Sequence, residues 1–265
     1  LALTENTSVI KEIHLDYINA GAEFIIANNY AVTQPILKRA NLLDQLEELI
    51  LKSIQIAKEA IQESGKVVLL AASLPPLETS YRSDLILETA SMDMMYQELA
   101  SILENNVDII ICETMSHSRE ARSALASIQE SKSEKWIGWT LYGNQNTLPS
   151  GETITEAFNF ISDLKCDAYL INCGGANLIT EGIKELKSLT NKRIGGYGNS
   201  EKIEISYEDR SDRPEEDHWA SATSINEKEY AQETKIWVAE GASIVAGCCR
   251  TRPAHIAEIA KTFNV

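Results

Sequence analysis

Two adjacent thiols, Cys248 and Cys249, sit in Gly247-Cys248-Cys249-Arg250-Thr251, where the apolar run Ala242-Ser243-Ile244-Val245-Ala246 gives way to Pro253 and a helix-like segment over residues 254–261. On their own they read most plainly as small residues packed at a strand end, the usual setting of free cysteine. A third cysteine in the same kind of place changes the reading. Cys173 closes the run Ala168-Tyr169-Leu170-Ile171-Asn172 and leads into Gly174-Gly175. Three thiolates at the exits of two strands can hold a zinc ion and leave one coordination position open for a substrate. The chemistry this serves is attack by a thiol. A free thiol, with a pKa of about 8.5, is mostly protonated at neutral pH. Coordination removes the proton, and three anionic ligands leave electron density on the bound sulfur. An alkyl group on a positively charged sulfur or nitrogen, or on a corrinoid cobalt, can then be displaced in line.

The elements that must position these groups follow one grammar. A helical segment with apolar spacing at Val9, Ile13, Tyr17 and Ala20 stops at Gly21, and Phe24-Ile25-Ile26-Ala27 runs on as a buried strand ending in Asn28-Asn29-Tyr30. The unit recurs as a helix over 46–63, a stop at Gly65 and a strand over 67–71 that ends in Ser73 before Pro75-Pro76. A helix over 84–104 leads to a strand over 107–111 ending in Cys112-Glu113-Thr114, and a helix over 119–130 to a strand over 136–140. After Thr153 come a helix to residue 164, the strand of Cys173, a helix over 179–189 and a strand over 193–197. A polar insertion over 199–226 precedes a helix over 227–240, which Gly241 closes before the strand of Cys248 and Cys249.

Seven apolar strands separated by helix-sized segments mean a parallel α/β sheet, and with no dinucleotide-type glycine fingerprint they predict a (β/α)8 TIM barrel over a doubly wound sheet. Such a barrel closes with eight strands, and because the chain opens inside a helix the first strand is expected upstream of Leu1. Residues 1–265 are therefore expected to form a single barrel domain truncated at its amino end. Chemistry in this class sits at the C-terminal ends of the strands. Those ends carry Asn28-Asn29-Tyr30, Ser73, Glu113-Thr114, Tyr142, Asn172-Cys173, Tyr197-Gly198-Asn199 and Cys248-Cys249. For any one of them the ordinary role is to cap a helix or satisfy a loop. Their convergence on one rim points to a site.

Composition narrows the partners. The net charge is −15, from 39 acidic and 24 basic residues, and no Lys/Arg-rich run exists, so a nucleic-acid backbone or an anionic membrane is repelled. No stretch approaches the roughly 18 apolar residues needed to cross a bilayer, and the opening residues lack the layout of a signal peptide. Five cysteines, an odd number in a chain this long, suit reduced thiols and metal binding better than a disulfide framework. The expectation is a soluble, cytoplasmic protein that meets small molecules.

Four segments, 19–30 (Asn-Ala-Gly-Ala-Glu-Phe-Ile-Ile-Ala-Asn-Asn-Tyr), Ile110-Ile111-Cys112-Glu113-Thr114, Ile171-Asn172-Cys173 and Gly247-Cys248-Cys249-Arg250-Thr251-Arg252-Pro253, together resemble the homocysteine S-methyltransferase family in order and spacing. The resemblance implies a (β/α)8 barrel with a zinc ion held by Cys173, Cys248 and Cys249. It implies Glu113 as the acceptor of the homocysteine ammonium and a supporting place for Asn172, with Thr114 and Asn28 as further substrate contacts on the same rim. The Cys-Cys-Arg-Thr form, and Tyr197-Gly198-Asn199-Ser200 before a loop containing Trp219, look more like the branch using S-methylmethionine or S-adenosylmethionine than the betaine branch. Two departures stand out. Ala246 replaces the first glycine of the usual Gly-Gly before the paired cysteines, and the family's first strand, with its Asp-Gly motif, is not in the sequence. A strand missing from a parallel barrel leaves two unpaired edges.

Other residues are assigned plainer roles. His14, His117, His218 and His255 each lack a partner that defines a catalytic pair, and Cys112 and Cys166 read as packing or surface thiols. The charge-rich stretch 201–216 reads as a solvated loop or a lid, and Trp136 and Trp139, three apart, face opposite ways. The leading expectation is zinc-dependent methyl transfer from a small sulfonium donor to homocysteine. Its rivals are a non-catalytic metal-binding barrel, methyl transfer from betaine or a corrinoid protein to a related thiol, and a zinc hydrolase. The last is disfavoured because such sites use His and carboxylate ligands.

Overall fold

In the computed structural model, which describes residues 2–142, 146–203 and 222–265, helices form where the apolar spacing of three and four recurs and stop where glycine can turn the chain. Helix α1 is Ala2–Glu5, and α2, Thr7–Asn19, buries Ile10, His14 and Ile18 along one side. Gly21 follows at φ +105° and hands over to β1, Phe24–Ile26. A short α3, Gln34–Arg39, carries Pro35 in its first turn; the sequence pattern gave no sign of it. Helix α4, Leu46–Ser64, buries Leu46, Leu49, Ile50, Ile54, Ala57 and Ala60, and Gly65 ends it in the left-handed conformation at φ +64°.

The later units repeat the order. They are β2 (Leu69–Leu74), α5 (Thr89–Leu103), β3 (Ile109–Met115), α6 (Ser118–Ser127), β4 (Glu134–Trp139), α7 (Ile154–Phe160), β5 (Ala168–Gly175), α8 (Ala176–Leu189) and β6 (Arg193–Asn199). A small antiparallel hairpin follows, β7 (Glu201–Ile203) with β8 (Ala222–Ser224), then α9 (Glu227–Ala239), β9 (Ile244–Gly247) and α10 (Pro253–Phe263). The residues between the hairpin strands, with His218 and Trp219 and most of the expected lid, lie outside the described residues. Side chains fix several helix starts. Thr153 with Glu156 and Asn226 with Glu229 each form a reciprocal capping box.

Seven strands form one parallel sheet in the order β1-β2-β3-β4-β5-β6-β9, as the alternation predicted. The sheet is curled. Neighbouring strands lie about 4.8 Å apart, so strands three steps apart in a flat sheet would be about 14 Å away. Yet Phe24 on β1 packs edge-on against Trp136 on β4 with ring centroids 5.3 Å apart, and the Tyr197 hydroxyl on β6 lies 2.8 Å from Glu113 on β3. The concave side holds its own apolar cluster of Ala71, Ile109, Ile111, Trp136, Ala168, Leu170, Tyr197 and Ile244, while Trp139 packs on the convex side against the helices. The two tryptophans face opposite ways, as their spacing required.

The architecture is α/β with a curled, barrel-like parallel sheet. Its edges, β1 and β9, flank a cleft of about 660 Å³ that runs from helices α2 and α10 to Ser73 and Glu113 on the rim. No helix among the described residues is long and apolar enough to cross a membrane.

Candidate metal and substrate site

Two strands break their ladder at the same level. The β3–β4 register shifts between Cys112 and Met115, and the β5–β6 register between Asn172 and Gly175. Each irregularity holds a non-glycine residue in the left-handed region, Thr114 at φ +59° and Cys173 at φ +57°. Bulges of this kind re-aim side chains at strand ends. Among the described residues, the other non-glycine positions with positive φ are Tyr81, Arg250 and four asparagines, the residue type that tolerates this conformation best. The chain's costlier backbone conformations thus gather around Cys173 and the 248–251 turn, where such strain persists only if its surroundings enforce it.

Side chains do the enforcing. Asn172 Oδ1 accepts from the Thr114 backbone N–H at 2.9 Å, and Asn172 Nδ2 donates to Thr114 Oγ1 at 2.8 Å, so one buried amide ties the two irregular strand ends together. Asn199 does the same for the thiols. Its Nδ2 donates to Glu201 Oε1 at 3.0 Å and to the Cys173 carbonyl at 3.4 Å, while its Oδ1 accepts from the Cys249 N–H at 3.1 Å. The turn that carries the vicinal pair is pinned by Cys248 N–H to Gly198 O at 2.8 Å and by Thr251 Oγ1 to Cys248 O at 2.6 Å. Gly247 has to be glycine there, because a Cβ would run into the Thr251 side chain. Ala246, where the family motif has glycine, lines the cleft instead. Arg250 Nη1 pairs with the buried Glu201 at 2.8 Å.

The three sulfurs meet. Cys248 Sγ lies 2.9 Å and Cys249 Sγ 3.7 Å from Cys173 Sγ, and all three fall within 4.8 Å of one another. Cys173 is buried, Cys248 half-buried and Cys249 exposed, so the cluster is reached from one side. Hydrogen bonds from the Cys173 and Cys248 sulfurs lower the Cys249 thiol below its ordinary range. Cys248, bonded to both neighbours, is pushed well up. Tyr81 donates its hydroxyl to Cys173 Sγ at 2.8 Å.

Glu113 is 5% exposed and accepts hydrogen bonds from Ser73 Oγ and, at 2.8 Å, from the Tyr197 hydroxyl. Burial raises its pKa against the pull of those two donors. Ser73 is in turn held by Asn29, whose side chain bonds both its N–H and its carbonyl. Asn28, next in the chain to that clamp, is exposed on the cleft wall. Of the other sequence candidates, Cys112 packs in the main core, and Cys166, pushed up to about 12 by burial, donates to backbone carbonyls. His117 Nδ1 accepts from the Arg119 N–H at the start of α6 beside Glu152, and His255 does the same for Arg252 at the start of α10. His14 is buried in the cleft wall, its Nε2 without a hydrogen-bond partner among the described residues.

Sequence reasoning placed Ser73, Tyr197 and Asn199 on the rim but assigned them no partner, passed over Tyr81, and put Glu201 in a solvated loop, whereas it is fully buried against Asn199 and Arg250. The partnerships span up to 92 residues, and no local pattern encodes them.

A curled parallel sheet with three thiols grouped so that they could hold a metal ion, and a buried carboxylate on the same C-terminal rim, has the layout of a barrel-type enzyme. The comparisons make that class particular. The sequence profile of the homocysteine S-methyltransferase family matches residues 1–263. Homocysteine S-methyltransferase 1 of Zea mays is 27% identical over 97% of this chain and 84% of its own length. Selenocysteine Se-methyltransferase of Brassica oleracea var. italica is 27% identical over 98% of this chain and 80% of its own length. The metallated crystal form of the homocysteine methyltransferase MmuM from Escherichia coli superposes with a TM-score of 0.81 at 24% identity, covering 98% of this chain and 86% of that one, a likeness of fold. The chain belongs to the homocysteine S-methyltransferase family and is a methyltransferase.

Proposed function

We propose that this protein moves a methyl group from a small sulfonium donor, S-methylmethionine or S-adenosylmethionine, to the thiol of homocysteine, forming methionine, with zinc held by Cys173, Cys248 and Cys249. The observation that carries this reading is the convergence of three sulfurs from two distant strand ends within 4.8 Å of one another. The donor set fits the metal, since thiolates select zinc over hard cations, which take oxygen ligands. When bound, zinc with three thiolate ligands offers its remaining position to the substrate sulfur and keeps that sulfur deprotonated at neutral pH.

The chain's own residues bind and orient. The Glu113 carboxylate accepts from Ser73 and Tyr197 and still has lone-pair sites for the substrate ammonium. That cation favours the ionised form and so offsets the upward push of burial. Asn172 and Thr114 serve the site by locking the two bulged strand ends, and exposed Asn28 meets the substrate from the cleft wall. With zinc bound, three thiolates and the carboxylate would leave the site net anionic, which suits a cationic sulfonium over a neutral donor. The Brassica relative's name supports a selenol as an alternative acceptor.

The test is a methyl-transfer assay of the purified protein with homocysteine and a panel of S-methylmethionine, S-adenosylmethionine, betaine and a methylated corrinoid protein. Methionine is expected from a sulfonium, and Glu113→Gln is expected to raise KM for homocysteine roughly 10- to 100-fold through loss of a charged contact. Turnover with betaine or the corrinoid protein alone overturns the donor assignment.

The single domain we read as a barrel closed by an eighth parallel strand seated between the edges of β1 and β9. The support is the apolar cleft between those edges, whose lining includes the buried His14. Hydrogen exchange checks this. In a version of the chain carrying a further apolar strand ahead of Leu1, amides of Phe24–Ile26 and Ile244–Gly247 are expected to slow. Unchanged exchange at both edges counts against closure.

A further inference from the structure

The connection between β2 and α5 is tied across the rim at several points. Thr33 Oγ1 donates to Leu77 O at 2.8 Å, Ser80 Oγ and the Tyr30 hydroxyl share a hydrogen bond of 2.7 Å, and Ser83 Oγ donates to Pro149 O at 3.0 Å. These ties reach the segments after β1 and β4. Between Ser80 and Ser83, Tyr81 reaches the end of β5, its hydroxyl 2.8 Å from Cys173 Sγ and 3.1 Å from Cys173 O. Tyr81 adopts φ +65°, a conformation that a bulky residue keeps only when its surroundings hold it. The contact therefore joins two strained residues, Tyr81 and Cys173, through one hydroxyl.

We propose that Tyr81 is a positioning residue of the metal centre: its hydroxyl fixes the Cys173 sulfur toward Cys248 and Cys249 and draws charge from that thiolate. The inference rests on the metal reading of the three cysteines. An O–H donor to a ligand sulfur does two things. It restricts rotation of the ligand side chain, which lowers the entropy lost when the metal binds. It also weakens electron donation from that sulfur, which keeps the metal a good acceptor for an incoming thiol. Partners of this kind behind metal ligands change affinity or activity by about 10- to 100-fold when removed.

The experiment compares two variants of the whole chain. Tyr81→Phe keeps the ring and deletes the hydroxyl, while Ser83→Ala loosens the same connection without touching sulfur. In zinc-loaded protein, transfer of zinc to a chromogenic chelator is expected to be about tenfold faster or more in Tyr81→Phe, and within about twofold of the parent in Ser83→Ala. In cobalt-substituted protein the sulfur-to-cobalt charge-transfer band is expected to move in Tyr81→Phe alone. Melting temperatures of the metal-free proteins separate an effect on the sulfur from an effect on the fold; they are expected to agree. Equal zinc release by parent and Tyr81→Phe with an unmoved band overturns the proposal, and so does equal acceleration in both variants, which assigns the effect to the connection as a whole. A parent that takes up neither metal removes the metal reading and this role with it. A parent that binds, beside an indistinguishable Tyr81→Phe, removes the role alone.

Discussion

The middle of the sheet and its two edges are built from the same kinds of residue and behave differently. Every residue of β3 and β5 is buried, whereas β1 has one buried residue of three and β9 one of four. The middle strands carry the bulges, the left-handed Thr114 and Cys173 and the Asn172 clamp. The edges carry the cleft, the orphaned His14 and, just past β9, the turn of Cys248 and Cys249. The three-thiol cluster therefore joins a fully buried part of the sheet to a more exposed one. Strain at Cys173 is tolerable because β5 is over-determined by its neighbours. The vicinal pair depends on a few hydrogen bonds from Asn199, Gly198 and Thr251 instead.

Core truncation at matched positions breaks this contrast if it is wrong. Ile111→Ala on β3, at a side chain with no exposure, is expected to cost about 3–5 kcal/mol in urea unfolding. Val245→Ala on β9, half-buried beside the cleft, is expected to cost about 1 kcal/mol. Equal losses would mean that the edge is as well packed as the centre.

A smaller effect sharpens the picture of the edge. Burial lowers His14 to about 4, so it is neutral in the fold, while in the unfolded chain it takes a proton near its ordinary value of about 6.5. Above that value it contributes no pH dependence; as pH falls from 6.5 toward 4 the unfolded state gains the proton first and stability drops. His14→Phe is expected to remove about 1–3 kcal/mol of that loss between pH 6.5 and 4.5, measured as the difference in unfolding free energy at the two values. An unchanged pH slope would show that His14 is solvated or partnered.

Much of this was legible in the chain. The strand and helix order could be read because each strand is an apolar run and each helix has its own spacing and stop. Strand limits moved for a physical reason. Val67, expected inside β2, is 99% exposed, and the strand instead continues through Ser73 and Leu74, which pair with Ile111 and Cys112. The convergence of Cys173 with Cys248 and Cys249 was legible because barrel topology puts all strand ends on one rim. The Asn172–Thr114 clamp, the Ser73 and Tyr197 bonds to Glu113 and the reach of Tyr81 to Cys173 were not. Each is a contact between segments far apart in sequence, fixed by backbone conformations that no spacing announces.

Zinc content is the most direct test of the central claim, that three distant sulfurs form one metal centre on which methyl transfer depends. Purified protein analysed by atomic emission is expected to hold close to one zinc per chain, and Cys248→Ser is expected to lose both the metal and methionine formation. A Cys248→Ser protein that keeps its zinc and its turnover would contradict the account.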